Sequence, residues 1–163
     1  MVEELIKTLK AMINEFQTLN QQSEMKMQAI KNGNAEQLSQ IIKLEEAVLR
    51  RIEQLEKTRE AQILRIVEKS HLPADSSLSF SSLLACVPFI FQDQLKRLRL
   101  ELVQQIDQLK GKNDLNQQLI RESLQWIHLN LHLLKPQLTL ENYQPSGKGS
   151  RQEPALARID SRV

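Results

Sequence analysis

An all-α fold is predicted. Apolar residues recur at alternating steps of three and four over three long stretches, and helix-ending punctuation falls at only a few points between them. The expected architecture is an elongated antiparallel three-helix bundle: a coiled-coil-like hairpin, a long third helix and a flexible C-terminal tail. The 163 residues, 40% hydrophobic and 26% charged, suffice for one ordinary domain, placed at residues 1–143 with the tail at 144–163.

In the first stretch Leu5, Leu9, Met12, Phe16, Leu19, Ser23 and Ile30 draw one stripe that reaches Lys31. Asn32, Gly33 and Asn34 follow; Gly33 supplies the positive φ that closes a helix, and Asn34 can cap the next. The second helix runs from about Ala35 to Ser70, with Leu38, Ile41, Val48, Ile52 and Leu55 in phase. Glu45 intrudes on that stripe, which resumes in shifted phase after Arg59 at Ile63, Ile66 and Val67. Two helices of this length joined by a tight corner form an antiparallel hairpin about 50 Å long.

Pro73 and the Ser-rich stretch 75–82 interrupt the pattern before a dense apolar cluster from Phe80 to Phe91, which is expected to plug one end of the hairpin. Pro88 disfavours helix in the residue before it, so a short helix or turn precedes the third long helix, which starts near Phe91 and ends at Pro136. Gly111, Asn113 and Asn116 mark its expected weak point or bend. Beyond Asn142 the residues are Gly, Pro, Ser and charge, the composition of a flexible tail.

Charge and composition exclude several functions. Of 22 basic and 20 acidic residues the last twenty positions hold four and two, leaving 18 of each in residues 1–143. The body is neutral and shows no basic stripe for phosphates, so no nucleic acid is expected. No stretch approaches the roughly 18 apolar residues of a membrane span, and the first twenty residues lack a signal-peptide core. A single Cys86 makes no internal disulfide, which suits a cytoplasmic location.

The C-terminal part of the third helix carries more apolar residues than one contact needs. Ile120, Leu124, Ile127, Leu131 and Leu134 form the expected core-facing stripe. Leu119, Trp126, Leu129 and Leu133 form a second, roughly 130° away at 100° per residue. That second face must meet another helix of the chain, a second copy in a homodimer, or a foreign amphipathic helix; in the last case these four residues are the client-binding set and Trp126 its anchor.

Catalytic signatures are absent. His128 and His132 lie one turn apart without a third ligand, and nothing in the sequence positions Cys86 against His71. With no phosphate loop and no nucleophile elbow, neither an enzyme nor a cofactor is expected.

The stretch from Lys26 to Arg59, KMQAIKNGNAEQLSQIIKLEEAVLRRIEQLEKTR, resembles the FlgN family of flagellar export chaperones at Lys26, Ala29, Ile30, Gly33, Leu38, Glu45, Leu55, Glu56 and Arg59. A second block, NQQLIRESLQWIHLNLHLL from Asn116 to Leu134, followed by Tyr143 and Gly147, is similar to the end of that family's pattern. Asn34 stands where Asp is commoner, Gln117 where Gly is usual, and the Pro-interrupted Phe cluster is a further departure. The resemblance implies a cytoplasmic chaperone that binds the C-terminal amphipathic helices of the hook-associated proteins FlgK and FlgL, prevents premature assembly and delivers them to the export gate. It implies docking to the gate component FlhA through Tyr143. The alternative from another class is a self-associating coiled-coil scaffold, against which stand the phase shift near Arg59 and the polar Ser23, Asn113 and Asn116 in the seams.

Overall fold

The computed structural model describes residues 1–70 and 80–134. They form four helices, α1 (Val2–Lys31), α2 (Ala35–Lys69), α3 (Phe80–Cys86) and α4 (Phe89–Leu134), and no strand occurs among the described residues. The predicted tail, with Tyr143, and the region of His71 and Pro73 lie outside them.

The corner between α1 and α2 follows from three residues. Gly33 takes φ 63°. The Asn34 N–H donates to Ala29 O at 2.9 Å and the Gly33 N–H to Ile30 O at 3.1 Å, which together satisfy the last carbonyls of α1. Asn34 Oδ1 then accepts from the Gln37 N–H at 3.0 Å and caps α2.

The junction before α4 is also built locally. α3 ends ahead of Pro88, and the side-chain amide of Gln92 donates to Leu84 O at 3.0 Å and Val87 O at 3.3 Å, covering carbonyls that α3 leaves open. Most of the Phe80–Phe91 cluster is the expected plug: Leu83 and Val87 are buried with Leu5, Ile66, Leu95 and Leu98, and Phe80 and Phe91 pack against them. Phe89 and Ile90 instead face outward, at 82% and 79% exposure.

α1 is the central helix, which periodicity did not show. Ten of its 30 residues are buried against three of 35 in α2, because α1 packs along α2 on one side and α4 on the other. Its single expected stripe is therefore supplemented by buried residues off it, Ile6, Thr8, Ile13 and Asn20 among them. The direction is up, down, up. Glu15 pairs with Arg51 and Lys26 with Glu45 across the antiparallel α1–α2 contact, whereas Asn20 meets Gln105 and Ser23 meets Asn116 in parallel register. α2 and α4 flank α1 without packing on each other to a comparable extent, so the bundle is open on one side.

The expected weak point of α4 is a junction. The helix is unbroken through Gly111. Asn116 Nδ2 donates to Ser23 O at 3.0 Å and Ser23 Oγ at 3.1 Å. One turn earlier on α1, Asn20 Nδ2 donates to Gln105 O at 2.9 Å, and Lys112 Nζ donates to Asn20 O at 3.1 Å. The polar residues that interrupt the apolar seams thus bind α1 to α4 and fix their register.

Candidate functional site: an open trough and a projecting helix end

Each long helix turns a seam of alternating threes and fours toward one shared space. On α1 the seam runs Leu5, Leu9, Met12, Phe16, Leu19 to Lys26. α2 supplies the opposite wall with Glu45, Leu49, Ile52, Glu56, Arg59 and Ile63, and α4 the other with Arg99, Leu102, Ile106, Leu109, Asn113 and Ile120. In a closed three-helix coiled coil such seams fill one another. Here the α1 seam is covered, with Leu5, Leu9, Met12 and Leu19 buried, but α2 and α4 are splayed and their wall residues remain open to solvent: Leu49 is 52% exposed and Ile106 40%. The space consists of two hollows end to end, about 490 Å³ toward α3 and about 310 Å³ toward the hairpin corner.

Ion pairs border this trough. Lys26 Nζ lies 2.5 Å from Glu45 Oε2 across α1 and α2, with both side chains mostly buried. Arg59 pairs with Glu56 one turn away on α2. The hydrogen bond from Arg59 holds the Glu56 carboxyl below the ordinary carboxylate range, against the opposing effect of burial. All four residues belong to the pattern the sequence shares with export chaperones, and Glu45, which seemed to break the α2 stripe, is the partner of Lys26. Arg99 has a different setting: its guanidinium lies 4.6 Å from the centre of the Phe80 ring at the trough rim.

The second feature is the end of α4. The parallel register pairs Ser23 with Asn116, so the end of α1 at Lys31 falls opposite about residue 124 of α4, and the last ten residues project about 15 Å past the corner. Trp126, Leu129 and Leu133 are 68%, 62% and 75% exposed, while Leu119, at the root of the projection, is half-buried. The stripe expected to face a core there does not: Ile120, Leu124, Ile127 and Leu131 are exposed as well. Both apolar faces are uncovered because α4 outruns its neighbours, a length mismatch that periodicity within α4 does not encode. His128 and His132 stand on this projection, and among the described residues no three His, Cys, Asp or Glu side chains gather as a metal would need. Cys86 lies elsewhere, accepting from Ser70 Oγ and donating to Ser82 O, each at 3.0 Å.

The trough was missed at the level of sequence, although Glu45 and the charged Glu56 and Arg59 at seam positions were signals that those faces meet no closed core.

An antiparallel hairpin with a longer, parallel third helix that leaves apolar helix surface uncovered defines an open helical bundle rather than a self-contained one. The chain belongs to the FlgN family, whose model (FlgN protein) matches residues 1–151, and that family is one of flagellar export chaperones. It is also similar to the uncharacterized protein YvyG of Bacillus subtilis (strain 168), at 28% identity over 144 residues, covering 88% of this chain and 87% of that protein. No solved structure matches. Among the described residues no helix is long and apolar enough to cross a membrane.

Proposed function

We propose that the protein is a cytoplasmic, non-enzymatic export chaperone for the hook-associated proteins FlgK and FlgL. It holds their C-terminal amphipathic helices until they are passed to FlhA at the export gate. The observation that carries this reading is the projecting end of α4, where apolar residues on both faces stand exposed beyond the bundle. A client helix made for filament contacts aggregates when its apolar face is wet, and Leu119, Trp126, Leu129 and Leu133 offer a reversible cover at helical spacing. Trp126 is the anchor, since Trp is the residue type most enriched at binding hot spots.

Light scattering of the chain alone and mixed with a peptide from the C-terminal helix of a hook-associated protein tests this. A 1:1 complex with shifted Trp126 fluorescence supports the chaperone. A concentration-independent homodimer that ignores the peptide places the scaffold reading first. Gate docking is assigned to Tyr143: in pull-downs, Tyr143→Ala is expected to leave client affinity intact and impair association with FlhA, and equal loss of both would make the residue structural.

A further inference from the structure

We propose that α4 is held in two separable parts: the segment from Val103 to Leu134 leaves α1 as a unit by opening a clasp of polar side chains, while residues 89–102 stay docked. The two parts differ in what holds them. Leu95 and Leu98 are buried with Leu5, Ile66, Leu83 and Val87, and Leu102 packs against the same cluster. The first part is thus anchored by apolar surface, which is costly to expose to water. Past Leu98, Asn116 is the one buried residue of α4 among the described residues, and Leu109 and Leu119 are half-buried. The rest of the attachment is polar. Asn20 Nδ2 donates to Gln105 O and Oε1 at 2.9 and 3.0 Å, Lys112 Nζ to Asn20 O at 3.1 Å, and Asn116 Nδ2 to Ser23 O and Oγ at 3.0 and 3.1 Å.

A clasp of this kind opens more readily than an apolar seam. Hydrogen bonds lost between helices are replaced by hydrogen bonds to water, so parting polar surfaces forfeits only a fraction of each bond. The closed clasp also buries Asn20 Oδ1 and Asn116 Oδ1 without a donor from the protein, and opening brings both into water. Gly111 sits inside the segment with open space where a Cβ would stand, and it lowers the helix propensity there. α1 does not need the clasp to keep its place, since the Lys26–Glu45 and Arg51–Glu15 pairs tie it to α2 over the same stretch. Release therefore leaves the hairpin and the plug intact, lengthens the free arm of α4 from about ten residues to about 30, and wets the α1 face that carries Asn20 and Ser23. An arm without packing is marginal as a helix in water, so its amides lose protection when it detaches. This inference does not rest on the identity of any client.

Hydrogen exchange on the full chain, read by mass spectrometry in fragments covering residues 89–102 and 103–119, tests it. The second fragment is expected to exchange at least tenfold faster than the first. Asn116→Asp removes the donor and sets a carboxylate against Ser23 O; it is expected to speed exchange of 103–119 at least a further tenfold and to leave 89–102 and the α1–α2 hairpin as they were. Asn116→Leu combined with Ser23→Ala, which keeps a packed seam, gives the opposite reading and slows 103–119 toward the rate of 89–102. Equal rates in the two fragments of the parent chain, or variants that shift both fragments together, overturn the proposal, because α4 then leaves α1 only when the whole bundle unfolds. A 103–119 rate indifferent to both variants also overturns it and assigns the exchange to fraying from the end of α4.

Discussion

Asn116 shows how much a single polar side chain can contribute within an apolar seam. Its amide reaches both the backbone and the hydroxyl of Ser23, at 3% exposure, where no water substitutes for a lost bond. Asn116→Ala is expected to destabilise the fold by about 1–3 kcal/mol, read as a lower urea midpoint at unchanged slope. Trp126 belongs to a different category, because its indole is exposed and contributes little to the fold. Trp126→Ala is expected to leave helicity by circular dichroism as it is and to weaken client binding about tenfold by calorimetry, the loss of a buried aromatic anchor. Unchanged affinity would remove the residue from the client site. Glu56 contributes through protonation. Its folded pKa is lowered by Arg59, so it adds stability above the carboxylate's ordinary range that is lost as pH falls through the lowered value. Glu56→Gln is expected to flatten the urea midpoint across that acid window, and a profile as steep as that of the parent chain would show that other carboxylates set it.

Among the elements, α4 carries the most consequence. It is a single helix of 46 residues, and its N-terminal half is buried at Leu95 and Leu98 while Trp126, Leu129 and Leu133 at its C-terminal end are exposed. Gly111 lies between these regimes with open space where a Cβ would stand. Gly111→Ala is expected to raise stability by about 1 kcal/mol, since it adds helix propensity without a clash, and to shift the thermal midpoint up by about 2–4 °C. A fall in the midpoint would mean that the helix relies on a distortion at this glycine. The α1–α2 corner is the opposite case, set by residues within it: Gly33 and Asn34 close one helix and open the next through three hydrogen bonds.

At the scale of the whole molecule, the open side of the bundle and the projecting end of α4 form one surface, since the trough reaches Ile120 and the projection begins beside it. Both arise because two helices flank a central third and one outruns it. Elements set by nearest neighbours in the chain were legible from sequence: the three long helices, the Gly33 corner, the break at Pro88 and the excess of apolar residues from Leu119 to Leu133 all follow from spacing, capping and proline chemistry. What periodicity cannot express is which faces meet. It reports that a face is apolar, and the same three-four stripe serves a filled seam at Leu5 and a wet wall at Ile106. The central place of α1, the pairing of Glu45 with Lys26, the interlock of Ser23 with Asn116 and the exposure of both faces of α4 were decided only by tertiary structure, because each depends on the relative length and splay of helices brought together from residues 19 to 93 positions apart.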